Sequence, residues 1–251
     1  MQIIEIFSAP WVLALCAVFI AAFVRGVSGF GFGLVLAPIL LLIVNPKEMV
    51  IIVMFLGLLG HLLVLWRSYR NVDLKRILPI MVSSLFGIPL GVLIINAITP
   101  AHLMIIVGVT ILCFTMVMAF GYHKPFANEG LSGGVVGFLS GILATSTGLP
   151  GPPLVIFMHN QNWPKEKIYP NLAAQFTLLC AMALITLSIL GDVKPELVIT
   201  AASFLPTMFI GIYIGMSLFR WTSARFFKNL SVIIVICAAI LGILSGFGII
   251  F

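Results

Sequence analysis

The sequence predicts an all-α polytopic integral membrane protein: two inverted repeats, each a broken or re-entrant helical hairpin followed by three transmembrane helices. Three observations predict this. Of 251 residues, 62% are hydrophobic and 8% charged, against about 25% charged in soluble domains. The apolar runs are separated by short polar connections, with no polar stretch long enough to fold as a separate soluble domain. Two stretches dense in glycine or proline interrupt apolar runs in corresponding halves of the chain. They are Arg25-Gly26-Val27-Ser28-Gly29-Phe30-Gly31-Phe32-Gly33 and Thr145-Ser146-Thr147-Gly148-Leu149-Pro150-Gly151-Pro152-Pro153.

In chain order the apolar runs are 10–24, 34–44, 49–66, 77–98, 103–121, 131–145, 152–160, 168–190, 197–219 and 229–251. About 20 helical residues span a bilayer core, and six of the runs reach that length. The pairs 10–24 with 34–44, and 131–145 with 152–160, are short and broken. Each glycine costs a helix about 1 kcal/mol against alanine, so the cluster from Gly26 to Gly33 predicts unwound backbone. At about 1.5 Å per residue, 10–24 reaches about 22 Å, well into a bilayer without needing to cross it. Unwound backbone at membrane depth survives only where protein or a wet cavity receives its polar groups. Two such interruptions in matching halves point to a transport site. The N-terminus does not read as a cleavable signal: Glu5 is its only early charge, and Arg25 follows the first run.

The halves repeat within one transmembrane domain, 1–251. Asn45-Pro46-Lys47-Glu48 matches Trp163-Pro164-Lys165-Glu166 at an offset of 118. Gly87-Ile88-Pro89-Leu90-Gly91 matches Gly211-Ile212-Tyr213-Ile214-Gly215, and Cys113 matches Cys237, at 124. The repeats span about 9–121 and about 131–251. If every broken pair crosses once, the loop lysines and arginines divide 6:6 between the two sides. If every pair is a hairpin, Arg67, Arg70, Lys75, Arg76, Lys124, Lys165, Lys167, Arg220, Arg225 and Lys228 share one side. Only Lys47 and Lys194 then lie opposite, a 10:2 split. Cytoplasmic loops are rich in Lys and Arg, which selects the hairpins and predicts both termini outside the cytoplasm.

The net charge of +6 is spread over these loops, so it reads as topology in a cytoplasmic (inner) membrane and not as a nucleic-acid surface. The partners expected are the lipid bilayer and a small anionic substrate, and the chain is compatible with a homo-oligomer. Cys16, Cys113, Cys180 and Cys237 lie singly in apolar runs and read as small buried hydrophobes, with no metal-ligand spacing. No cofactor or metal is expected. Trp11, Trp66, Trp163 and Trp221 sit at run ends and read as interfacial anchors.

Arg25 is the leading binding candidate. All seven acidic residues fall in or beside polar connections, so Arg25 has no carboxylate partner in the runs, as an anion site requires. An arginine snorkelling to the interface is the alternative. The breaks, through Gly29, Gly31, Gly33, Gly148 and Gly151, would present backbone N–H groups at the starts of short helices near Gly33 and Pro153. Helix N-termini bind anions, and Ser28, Ser146 and Thr147 would add hydroxyls; close helix packing alone would also explain the glycines. Asn171 and Gln175, one turn apart, either line the cavity or tie helices together. His61 and His159 could couple transport to protons or simply hydrogen-bond a neighbouring helix. The absence of any mid-run Asp or Glu argues against a carboxylate proton relay. Gly26-Val27-Ser28-Gly29 matches the G-x-S-G pattern of intramembrane serine proteases, with Ser28 as nucleophile. A second, similar break in the other half argues against an enzyme. A passive anion channel is the other alternative.

The chain resembles the sulfite exporter TauE/SafE family. The residues that carry the resemblance are Arg25 to Gly33 ahead of Ala37-Pro38, and Gly148-Leu149-Pro150-Gly151-Pro152-Pro153 in the second half. It covers nearly the whole chain. It implies a transporter for sulfite, organosulfonates or similar sulfur-containing anions.

Overall fold

The structure is a computed structural model that describes residues 8–28, 31–120, 126, 128–218, 240 and 244. Among these it is all-helical. The helices are α1 (Ala9–Ser28), α2 (Phe32–Leu40), α3 (Pro46–Ser68), α4 (Leu74–Ala97), α5 (Pro100–Phe120), α6 (Glu129–Thr147), α7 (Gly151–Asn160), α8 (Lys165–Ile189), α9 (Pro195–Ser203) and α10 (Leu205–Leu218), with one 3₁₀ turn at Tyr69–Asn71. Among the described residues six stretches are long and apolar enough to cross a membrane: Ala9–Gly26, Pro46–Asn71, Leu74–Ala97, Glu129–Thr147, Glu166–Ile189 and Pro195–Ser217. Apart from Ile240 and Leu244, the run 229–251 lies outside the described residues, as do Trp221, Lys124, Arg220, Arg225, Lys228 and Cys237.

Two of the six spans correct the sequence reading. α1 and α6 have 20 and 19 residues and do not stop short of span length. Arg25, Gly26, Val27 and Ser28 are helical, and the break begins only after them. The glycine cost is offset by packing: a Cβ on Gly26 would lie 2.5 Å from the Ile212 carbonyl oxygen and 3.0 Å from Gly215 Cα. Small residues that let helix backbones touch are the currency of association in membranes. Residues 197–219, expected as one run, are divided at Phe204. Pro206 cannot donate an N–H back into α9, and the ladder restarts with Met208 N–H on the Phe204 carbonyl at 2.9 Å.

The repeated sequence segments occupy matching places. The two Pro-Lys-Glu segments open α3 and α8. Gly211 and Gly215 of α10 pack on Phe19, Phe23 and Gly26 of α1, while Gly87 and Gly91 of α4 pack on Phe138, Ile142 and Thr145 of α6. Each half's glycine pair therefore seats the first helix of the other half, and both pairs run parallel. α3 and α8 run antiparallel through the centre. Lys47 pairs with Asp192 at 3.1 Å at one end, a Cβ on Gly57 would lie 3.5 Å from Cys180 Sγ at mid-height, and Lys167 pairs with Asp73 at 2.8 Å at the other end.

Polar contacts close both ends. Lys47 also hydrogen-bonds Asn96. At the opposite end Arg76 pairs with Glu129 at 2.6 Å, and Trp163 Nε1 donates to the same carboxylate at 2.8 Å. The start of α6 is thereby joined to the connection between α7 and α8. Trp163 is buried, with the Arg76 guanidinium 4.3 Å from its ring centroid, so it is not the expected interfacial anchor; Trp66, 75% exposed, fits that role. The hydrogen bond from Lys167 holds the Asp73 carboxyl below its ordinary range. Cys180 is buried as expected, but Cys16 and Cys113 are exposed on the outer surface. In a bilayer that surface faces lipid, which accepts a thiol as readily as a core does.

Candidate functional site

The two breaks meet beside the middle of α3. The chain turns from α1 into α2 through Gly31, at φ +89°, and leaves α6 through Gly148, at φ +73°. Glycine enters this left-handed region freely, whereas an L side chain pays about 1–2 kcal/mol. Room is not the constraint at Gly31, where a Cβ would meet nothing nearer than Val24 at 3.9 Å. Gly33 is constrained by space: its Cβ would stand 3.1 Å from the Gly148 carbonyl oxygen and 3.3 Å from Leu149. The two tips touch there.

The tips are chemically unequal, which the sequence reading did not anticipate. α2 starts at Phe32, and its first internal bond is Val35 N–H to the Gly31 carbonyl at 3.1 Å. The N–H groups of Phe32, Gly33 and Leu34 therefore have no helical acceptor. α7 starts at Gly151 and runs straight into Pro152 and Pro153. Proline has no N–H, so Gly151 carries the one donor among the first three residues of α7.

Arg25 stands on the last turn of α1 and is 4% exposed. Its Nη2 lies 3.0 Å from His61 Nδ1. Arginine can only donate, so Nδ1 is the acceptor and the imidazole proton sits on Nε2. The guanidinium carbon is 5.9 Å from the Phe32 ring centroid. Nη1 is buried without a hydrogen-bond partner. No carboxylate approaches: the ion pairs among the described residues are Lys47–Asp192, Arg76–Glu129 and Lys167–Asp73. A buried donor on a charged group left unsatisfied costs more than the 1–3 kcal/mol of a neutral one, so this atom is poised for an acceptor that comes from outside.

Arg25, Gly31, Gly33, Gly148, Gly151 and His61 line one central cavity, which encloses about 590 Å³ of non-atom space, open solvent included. Met54, Phe176 and Cys180 supply apolar wall. A second cavity of about 950 Å³, measured the same way, runs from Arg25 and His61 to Arg67, Ser68 and Tyr169. Arg25, His61 and Phe176 border both cavities, and the His61 and Phe176 rings sit 4.9 Å apart. These three side chains form a layer between the two chambers.

Other candidates are spent elsewhere. Ser146 and Thr147 donate to the carbonyls of Ile142 and Leu143 in their own helix, at 2.7 and 2.8 Å, and line neither cavity. Asn171 and Gln175 both tie helices, and Gln175 keeps a buried Oε1 without a hydrogen-bond partner. Asn171 accepts from the Asp73 N–H at 3.0 Å and donates to the Lys167 carbonyl at 2.6 Å. Gln175 donates to Ser84 Oγ at 3.0 Å. His159 is exposed in the last turn of α7, away from both cavities. Gly29 and the side chain of Ser28 lie outside the described residues. No group of three or more His, Cys, Asp or Glu stands close enough to hold a metal among the described residues.

Sequence reasoning missed Gly60 and Phe176. A Cβ on Gly60 would lie 2.5 Å from Arg25 Nη1, so only glycine leaves the guanidinium its place. The available signal was a glycine directly before the one mid-run histidine of 49–66.

No curated protein and no solved structure matches the chain. The model of one family, described as Sulfite exporter TauE/SafE, matches residues 14–242, a span that takes in both hairpins, the Arg25 layer and all of α3 to α10. The chain belongs to the sulfite exporter TauE/SafE family of membrane transporters.

Proposed function

We propose that this protein is a secondary carrier that moves a small sulfur-containing anion, sulfite or an organosulfonate, across the cytoplasmic membrane by alternating access. The observation that carries the reading is Arg25 Nη1: a buried cationic donor with no partner, on a side chain that borders the cavity where both tips meet. The anion is held by Arg25 and by the N–H groups at the start of α2, whose partial positive charge adds to the guanidinium's. Gly148 and Gly151 close the cavity from the second tip. Sulfite and sulfonates offer several oxygens to such convergent donors and need no general base.

One transmembrane domain, 1–251, made of inverted repeats at about 9–121 and about 131–251, supports rocking of one half against the other. The single-crossing arrangement sets 67–76 and 165–167 on opposite sides of the membrane, and the ion pair of Asp73 with Lys167 argues against it. The antiparallel α3–α8 pair and the exchanged glycine contacts favour inversion. Among the described residues, Arg67, Arg70, Lys75, Arg76, Lys165 and Lys167 gather at the end we assign to the cytoplasm, with Lys47 and Lys194 opposite. The start of α1 then lies outside the cytoplasm. Cysteines introduced in 67–76 and in 191–196 should label from opposite faces of the membrane, the first from the cytoplasm. Labelling of both from one face would restore the single-crossing arrangement.

Flux separates carrier from channel. In proteoliposomes loaded with unlabelled sulfite, labelled sulfite outside should accumulate transiently above equilibrium, and the rate should saturate with concentration. A rate that rises linearly without counterflow would make the protein an anion channel.

A further inference from the structure

We propose that His61 binds a proton together with the anion, so that this carrier moves the two as a pair. The proposal rests on the anion site described above and adds a coupling group to it. His61 Nδ1 accepts from Arg25 Nη2 at 3.0 Å, so that nitrogen has its lone pair free of a proton and the ring is neutral. A proton arriving from water in either cavity would bond to Nδ1 and remove the acceptor that Arg25 uses. The guanidinium is then released to direct two N–H groups at an incoming anion, its Nη1 being unpartnered already.

The surroundings make the two events depend on each other. Facing His61 from α1 is Arg25; from α8 come Phe176, Cys180 and Tyr169; on α3 itself Arg67 lies along the same chamber. The facing residues of α10, Ile212 and Met216, carry no charge. Among the described residues no carboxylate lines either cavity. An imidazolium touching a guanidinium in such a place is repelled, with nothing fixed to neutralise it. The anion is the one negative charge the site can recruit. By linkage, the anion strengthens proton binding by the same factor by which the proton strengthens anion binding. A monovalent sulfonate would then cross with no net charge beyond the protein's own.

The experiment is titration calorimetry on the purified full chain with methanesulfonate, which keeps its single charge between about pH 5 and pH 8, the range in which a histidine titrates. Sulfite serves as second probe. Repeating the titration in buffers of different ionisation enthalpy counts the protons taken up. The expected result for methanesulfonate is about one proton taken up per anion at the alkaline end, with affinity falling about tenfold per pH unit there. His61→Gln keeps an oxygen for Arg25 but cannot be protonated. It should bind with no proton uptake and a flat pH profile. Wild-type binding without proton uptake, or a His61→Gln variant that keeps the wild-type pH slope, would overturn the coupling and leave the anion site standing. Absence of binding by both probes at every pH would remove the anion reading itself, and the coupling with it.

Discussion

Arg25→Gln will insert and fold but bind the anion about 10- to 150-fold more weakly. That range is what the loss of a hydrogen bond to a charged group, about 1.5–3 kcal/mol, is worth. Glutamine keeps an uncharged amide donor on the last turn of α1 while the positive charge disappears. Folding should tolerate the change because no carboxylate is left unpaired by it: each ion pair among the described residues lies elsewhere. Arg25→Lys should recover part of the affinity. Lysine keeps the charge but loses the planar fork that now divides between His61 on Nη2 and an unpartnered Nη1 packed beside Gly60. Equilibrium binding measured on all three proteins checks this. Equal affinity in wild type and Arg25→Gln would leave the arginine as an interfacial anchor.

Gly31→Leu and Gly148→Leu should each abolish transport while much of the protein remains inserted. Both glycines hold a positive φ, +89° and +73°. Leucine there pays about 1–2 kcal/mol in backbone alone, and each tip can relieve that by turning away from the other. Gly33 and Gly148 would then part, and the cavity they close would open. Asparagine tolerates the left-handed region better than other L residues. Gly31→Asn should therefore retain more transport than Gly31→Leu in the same flux assay. Equal loss in both variants would show that backbone conformation is not what the position demands.

Much of this site was legible before any coordinates, and the reasons differ from residue to residue. The glycine clusters marked both tips because no other residue type makes such a cluster useful in an apolar run. Their limits were misjudged, since helix propensity scores Gly26 as a break while close packing on Gly215 turns it into helix. Arg25 stood out because the acidic residues all lie in polar connections. Its partner did not, since His61 is 36 residues away and nothing local joins them. Ser146 and Thr147 were overvalued as donors: hydroxyls inside a helix commonly turn back to the carbonyl four residues earlier, as these do. The prolines of the second tip were in plain view, and counting N–H groups would have revealed its poverty in donors. The packing of α4 on α6 and of α10 on α1 followed from the repeated Gly-x-x-x-Gly pairs only once the two halves were seen to exchange helices. Trp163 looked like an interfacial anchor by position, but Glu129 and Arg76 hold it inside.

The most direct measurement is a thermal-shift comparison of wild type and Arg25→Gln, side by side, with sulfite, sulfoacetate, taurine, thiosulfate and sulfate. A ligand that binds only the folded protein raises its apparent stability by about 2.7 kcal/mol at a hundred times its dissociation constant. At least one of the sulfur-containing anions should stabilise the wild type in a saturable way and leave Arg25→Gln unmoved at the same concentrations. Identical shifts in the two proteins would contradict an anion site built on Arg25.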